Sequence, residues 1–150
     1  MAGLRITAEN TAAVALVAAT EKTAVQVNAP AQQRLLVKRV GIFFDGASTT
    51  AVPVLVKLIL VSTAGTNTAL TLSKLVSSDS ETIQSTAGEN ATAEGTNSTL
   101  LDQWFIHPQM GLDLTYAFGQ EKVVVGGGRV AIKCTAPATV NVRTKIDFDE

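Results

Sequence analysis

Cysteine and histidine are the side chains of this sequence best suited to nucleophilic catalysis. The 150 residues contain one of each, Cys134 and His107. A cysteine thiolate activated by an imidazole attacks acyl carbons, but neither residue lies in a sequence typical of a catalytic cysteine. Cys134 occupies an inward position of a predicted strand, where a cysteine packs as a small apolar side chain. The sequence therefore predicts no catalytic residue, no disulfide and no enzymatic activity.

Acidic and glycine-rich segments raise the question of metal or phosphate binding. Asp147-Phe148-Asp149-Glu150 attracts cations, although such a segment is more often solvated, and one histidine cannot supply the imidazoles of a typical zinc site. Gly126-Gly127-Gly128-Arg129 leads into a strand and lacks the spacing of a phosphate-binding loop, which is followed by a helix. A turn with positive φ accounts for these glycines. We predict no metal and no cofactor.

Trp104 and Tyr116 are the residues best suited to stacking on a sugar ring. A single tryptophan is also what the core of a β-sandwich commonly holds, because its large aromatic surface favours burial. We therefore assign Trp104 to packing or to an interface. A carbohydrate site at these two residues remains the alternative.

The composition argues against two classes of partner. The formal net charge is −1, so the excess of basic residues that nucleic-acid binding requires is absent. Residues 10–20 are apolar, but the segment is too short to span a membrane and is bounded by Glu9 and Glu21. We expect no nucleic acid and no membrane as partners, and synthesis in the cytoplasm.

Apolar and polar residues alternate with a period of two, which is typical of strands with one solvated face. Ala138–Phe148 and Gly128–Thr135 show the pattern best, and Ala136-Pro137 between them predicts a hairpin. Further strands are predicted at Lys22–Asn28, Arg34–Phe44, Pro53–Ser62, Leu70–Leu75, Thr99–His107 and Leu112–Phe118, with a turn at Asp45-Gly46. The spacing predicts an all-β fold, a single antiparallel β-sandwich of jelly-roll type over residues 21–150.

Residues 1–20 contain more large apolar side chains than a free tail in water. Thr11–Ala19 has no polar face, so both a short helix and an extended segment are compatible with it. We predict an N-terminal arm that docks on a neighbouring subunit. The residues assigned to this interface are Leu4, Arg5, Ile6, Leu16 and Val17.

The predicted strand Pro53–Ser62 is apolar on both faces. Leu55, Ile59 and Val61 lie opposite its core-facing residues, with Lys57 as the only polar neighbour, and a strand apolar on both faces is buried on both. A two-layer sandwich leaves one face of each sheet in solvent. We therefore expect a cover from the N-terminal arm or from another subunit, and place these three apolar residues in an interface.

Ser77–Ser98 is rich in small polar residues, and Ile83 is its only large apolar one. Loops of more than about 12–15 residues are uncommon in compact domains and are usually functional or disordered. Two hypotheses follow: a solvated, mobile loop, or a surface arm that orders on a neighbouring subunit with Ile83 as its anchor.

Several strings resemble small virion proteins of tailed bacteriophages: Phe43-Phe44-Asp45-Gly46, His107-Pro108-Gln109, Gly126-Gly127-Gly128-Arg129 and Thr135-Ala136-Pro137-Ala138. With its Ala-, Thr- and Val-rich composition, the chain resembles in particular the capsid decoration, or cement, proteins of jelly-roll type. The resemblance implies a homotrimer on the outside of the capsid that bridges subunits of the major capsid protein and has no catalytic residues. The expected function is stabilisation of the shell. The alternative is a tail-associated carbohydrate- or receptor-binding β-module.

Overall fold

The computed structural model describes residues 3–45 and 52–150, and every regular element in them is a strand. The strands are β1 (Arg5–Glu9), β2 (Val14–Leu16), β3 (Glu21–Asn28), β4 (Leu35–Asp45), β5 (Val54–Thr63), β6 (Thr66–Leu70), β7 (Ser73–Lys74), β8 (Thr86–Ala93), β9 (Thr96–Ile106), β10 (Gly111–Thr115), β11 (Lys122–Val124), β12 (Arg129–Thr135) and β13 (Val140–Asp149). No helix in this described part is long and apolar enough to cross a membrane.

Two antiparallel sheets form the molecule, which confirms the predicted all-β sandwich. The first sheet has the order β10-β4-β13-β1-β7, with β11 also paired to β4 and β2 to β13. The second sheet has the order β6-β8-β3-β12-β5-β9. We call the face of each sheet that packs on the other sheet its inner face, and the opposite face its outer face.

The core lies between the two inner faces. In β13 the alternation places Val140, Val142, Ile146 and Phe148 in the core with Thr144 among them, as the sequence predicts. β12 contributes Val130, Ile132 and Cys134 from the other sheet. Burial of each large apolar side chain contributes about 1.5–3 kcal/mol, so these two central strands are a main source of stability.

The segment between β12 and β13 differs from the prediction. β12 belongs to the second sheet and β13 to the first, so Ala136-Pro137 joins the two sheets, and the expected hairpin does not form. The physical reason is that both strands turn their apolar face towards the same core, from opposite sides. The other predicted turn, at Asp45-Gly46, extends beyond the described residues.

Residues 3–16 form part of the sandwich, which corrects the prediction of a separate arm. β1 pairs with β13 from Arg5↔Asp149 to Glu9↔Lys145, and β2 pairs with β13 farther along. Leu4, Ile6 and Leu16 are buried in the core of their own chain, because the alternation of this segment presents them to the inner face. These three residues therefore have no surface left for docking on a neighbour. Removing residues 1–20 would delete two paired strands.

The segment 77–98 is also more ordered than the sequence predicts. β8 and the start of β9 fall within it, and β8 lies between β3 and β6 in the second sheet. Small side chains suit this strand, because Ala91 is buried and Ala87 packs partly buried against the core. Ile83 packs on the core of its own chain, so it is not free to anchor an arm on a neighbour.

Candidate functional site

The residues first considered for catalysis take structural positions. Cys134 is buried, as predicted, and burial together with the nearby charge of Glu21 raises the pKa of its thiol to about 12, which disfavours the reactive thiolate. His107 lies in the turn after β9, where its Nδ1 accepts a hydrogen bond from the backbone N–H of Gln109 at 3.2 Å. Within residues 3–45 and 52–150, no three Cys, His, Asp or Glu side chains are grouped so that they could hold a metal ion.

The aromatic residues considered for sugar stacking connect the two sheets. Tyr116 donates a hydrogen bond to Asp102 at 2.8 Å, and Lys122 lies 3.0 Å from the same carboxylate and 5.2 Å from the Tyr116 ring centre. Burial and Asp102 raise the pKa of Tyr116, so its hydroxyl stays protonated. Trp104 points to the inner side of β9 and packs half-buried against the core. These two side chains therefore do not form an open stacking surface.

The apolar outer face of β5 is covered by the chain itself. Ile59 and Val61 form a small buried cluster with Ala131 of β12. The turn between β8 and β9 lies over it: a Cβ on Gly95 would fall 2.7 Å from Val61 Cγ1 and 2.3 Å from the carbonyl oxygen of Thr63. Only glycine fits this approach. The predicted cover exists, and it is this turn, not an arm from residues 1–20.

The same turn buries charged groups on the outer face of the second sheet. Lys133 is 1% exposed, and its Nζ lies 3.0 Å from Glu94, 3.1 Å from the Gly95 carbonyl oxygen and 3.7 Å from Glu21. Glu94 also accepts hydrogen bonds from the backbone N–H (2.8 Å) and the hydroxyl of Thr23. We call Glu21, Thr23, Lys57, Glu94, Asn97 and Lys133 the clasp cluster.

Glu21 completes the clasp cluster. It binds Lys57 at 2.9 Å and accepts a hydrogen bond from Asn97 at 2.9 Å. Burial raises the pKa of Glu21, but the hydrogen bonds from Asn97 and Lys57 outweigh it, and the pKa lies below its usual value. The clasp cluster therefore fixes the turn to the outer face of the second sheet through ion pairs and hydrogen bonds.

Beyond the covered part, β9 leaves an apolar edge exposed. It is the last strand of the second sheet, and its outer edge pairs with no strand of the described residues. Phe105 is 72% exposed, Leu100 is also exposed, and Leu55 pairs with Phe105 on the outer face while remaining half-buried. We call Leu100, Phe105, Leu55 and the free side of β9 the β9 edge.

A groove of about 900 Å³ crosses one end of the outer face of the first sheet. Its floor comes from three neighbouring strands, with Leu36 and Lys38 on β4, Asp149 on β13 and Arg5 on β1. Lys38 reaches the outer face because the β4–β13 register shifts beside it, so that both Lys38 and Arg39 point to solvent. The other lining residues are Gly3, Gln32, Gln33, Arg34, Val76, Asp79, Phe118 and Glu150.

The interface residues predicted from the sequence are thus scattered. Ile59 and Val61 are buried under the turn of their own chain, Leu55 belongs to the β9 edge, and Val17 and Arg5 are exposed elsewhere. Sequence reasoning missed Phe105, although its place next to inward-facing Trp104 indicates an outward side chain. It also missed Phe118, which lies in a loop without periodicity. No family model, curated protein or solved structure matches this chain.

Proposed function

We propose that this chain is a virion structural protein, a decoration (cement) protein of jelly-roll type that binds the outside of the major capsid protein lattice of a tailed bacteriophage and stabilises the shell. The β9 edge carries the proposal. It combines a strand with unpaired backbone groups on one side and exposed apolar side chains, which are the two components of an attachment surface.

The β9 edge suits attachment by strand addition. An extended segment of a capsid subunit would pair with the free backbone groups of β9, and its side chains would pack beside Phe105 and Leu100. Burial of Phe105 contributes about 1.5–3 kcal/mol before the costs of association. A single contact of this kind is weak, but repetition over a shell multiplies it.

The homotrimer remains part of the proposal, on a narrower basis than the sequence alone suggested. Ile59 and Val61 no longer require a second subunit, because the turn between β8 and β9 covers them. Exposed apolar side chains outside the β9 edge, among them Val17 and Met110, are the surface left for a neighbouring copy, because the β9 edge is assigned to the capsid subunit. A closed ring of three would bury such side chains without forming fibres.

The test is attachment of Phe105→Lys to phage heads that lack the protein, measured by co-sedimentation, with light scattering of the free protein. We expect the wild type to bind and to have three chain masses, and Phe105→Lys to lose attachment while keeping its three chain masses and its β-type circular dichroism. Phe118→Lys is the matched control, since it alters an exposed phenylalanine away from this edge.

Equal attachment of Phe105→Lys and the wild type would overturn the role of the β9 edge. The copy number in purified particles tests the wider proposal. Hundreds of copies on heads support a decoration protein, whereas a few copies on tails would favour the tail-associated module instead.

A further inference from the structure

We propose that the groove on the outer face of the first sheet binds a neutral oligosaccharide, with Phe118 as the surface on which a sugar ring stacks. The inference concerns a second surface, which shares no residue with the β9 edge, and it holds for a protein on heads or on tails. Its volume of about 900 Å³ lies within the range of small-ligand sites.

The charge of the groove selects an uncharged ligand. Three cationic side chains, Arg5, Arg34 and Lys38, are balanced by three carboxylates, Asp79, Asp149 and Glu150. A polyanion such as nucleic acid or a sulfated glycan would meet the carboxylates, and a polycation would meet the basic groups. Sugar hydroxyls donate and accept hydrogen bonds at once, so they match a lining that offers both. The amides of Gln32 and Gln33 add further donors and acceptors.

The floor of the groove is held in position before any ligand arrives. Lys38 lies 2.8 Å from Glu121 and 3.4 Å from Asp149, and Arg5 lies 3.5 Å from Asp149. The hydrogen bond to Glu121 raises the pKa of Lys38, which keeps it cationic. Binding therefore orders few additional side chains, and that lowers its entropic cost.

The wall next to the floor is held as well. Glu150 accepts hydrogen bonds from the backbone N–H groups of Gln84 at 2.8 Å and Ser85 at 2.9 Å. These bonds fix the last carboxylate of the groove to the segment that precedes β8. The polar groups offered to a ligand are thus set by the fold on two sides.

Phe118 supplies an apolar surface for stacking. It is 98% exposed in the loop between β10 and β11, beside Gly119 with φ of 83°. Hydrogen bonding from the Gln120 backbone N–H to the Ala117 carbonyl oxygen at 2.9 Å closes this loop into a turn. The C–H groups of a pyranose face carry partial positive charge and pack against the negative face of an aromatic ring. Leu36 and Val76 extend the apolar contact along the groove.

An extended peptide is a poorer match for this groove. The floor strands β4 and β13 are paired on both sides, and β1 lies between β13 and β7. Their backbone groups are therefore engaged, and a peptide cannot be added to these floor strands by strand addition. Recognition by the floor must come from side chains, whose hydrogen-bonding groups suit a sugar.

The experiment is a screen of the full chain against neutral di- to hexasaccharides of hexoses and N-acetylhexosamines, followed by calorimetry of the best binder. We expect a dissociation constant of roughly 10 μM to 1 mM that changes little when salt is raised. Phe118→Ala should weaken binding by about tenfold or more, corresponding to the loss of one stacked ring. Met110→Ala, which truncates an exposed apolar side chain outside both the groove and the β9 edge, should bind as the wild type does.

Three results would overturn the inference. One is the absence of binding by any neutral saccharide at millimolar concentration. Another is equal affinity of Phe118→Ala and the wild type. The third is binding confined to sulfated or sialylated glycans or to peptides, with affinity that falls as salt rises. Each is independent of capsid attachment, because the assay uses the isolated protein.

Discussion

The outer faces of the two sheets carry similar residues in different surroundings. On the first sheet, Arg39 and Asp113 form an ion pair that is open to solvent. On the second sheet, Lys133 and Glu94 form an ion pair under a turn of the chain, where Lys133 has almost no contact with solvent. Exposed ion pairs contribute little to stability, whereas breaking a buried one leaves a charge without a partner. The clasp cluster is thus structural, whereas the ion pairs on the outer face of the first sheet contribute little to stability.

Replacing Lys133 has the largest expected effect among the tests of this difference between the two outer faces. Lys133→Ala leaves Glu94 and Glu21 without their buried cation, and we expect the free energy of unfolding to fall by about 3 kcal/mol, near the lower end for buried pairs because Glu94 is partly exposed. The measurement is urea unfolding followed by circular dichroism. Asp113→Ala on the first sheet is the control, because it removes only the exposed partner of Arg39, and its urea midpoint should stay close to that of the wild type. Equal losses in the two variants would contradict the distinction.

Gly95 tests whether the turn must lie close to the second sheet. In Gly95→Ala the new Cβ would fall 2.3 Å from the Thr63 carbonyl oxygen, so the turn must lift, and we expect a loss of about 1–3 kcal/mol. Gly111→Ala is the matched control, because its nearest contacts on the first sheet are at 3.0 Å. Urea midpoints compare the two variants. A Gly95→Ala protein as stable as the Gly111→Ala protein would show that the turn does not press on the sheet.

The smallest expected effect concerns Glu21 and Asp113: salt should change their contributions to stability at acid pH to different extents. Burial raises the pKa of Glu21, but the hydrogen bonds from Asn97 and Lys57 outweigh burial, so that the pKa is lowered overall. The pKa of exposed Asp113 is also lowered, by the hydrogen bond from Arg39. A lowered folded-state pKa gives stability that is present above the unfolded-state pKa and is lost as pH falls through the folded-state value. Both contributions therefore begin to decrease as pH falls below the unfolded-state pKa, 4.5 for Glu21 and 3.8 for Asp113, and are lost below the lower folded-state pKa values.

Salt separates the two carboxylates. We expect Glu21→Gln to reduce the acid-induced drop in urea midpoint both at about 20 mM and at about 1 M NaCl, because Glu21 and its partner Lys57 are partly buried. Asp113→Asn should reduce the drop at low salt only, since the Arg39–Asp113 pair is open to solvent and is screened. The same salt response in both variants would show that the two faces are electrostatically alike.

The alternation of apolar and polar residues predicts the strands well, but it does not predict which distant segments contact each other. Val142 and Ile146 point into the core, as the alternation of apolar and polar residues along this strand predicts. Lys133 occupies an outward position of its strand, where the alternation predicts a solvated side chain. Its burial depends on Gly95, which lies 38 positions away. Ala136-Pro137 marks a turn, but the pattern does not state to which sheet the following strand belongs. For the same reason, Leu4 and Ile6 were recognised as apolar but not as neighbours of β13.

Candidate binding residues were harder to find from the sequence. The aromatic residues singled out, Trp104 and Tyr116, are packed, because Trp104 lies on the inner side of a strand and Tyr116 donates a hydrogen bond to Asp102. Phe118 lies in a loop, where no period separates exposed from buried positions. The groove itself unites residues of β1, β4 and β13 with loop residues, and only the fold brings them together.

The pairing of β1 with β13 has a consequence for the time course of folding. Asn10 accepts hydrogen bonds from the backbone N–H and the hydroxyl of Thr144 at 2.9 and 2.7 Å, across 134 positions of the chain. β1 therefore cannot pair with β13 during synthesis until β13 has left the ribosome. Chains dominated by such distant contacts fold over milliseconds to seconds, so the first sheet is completed only after synthesis of the whole segment.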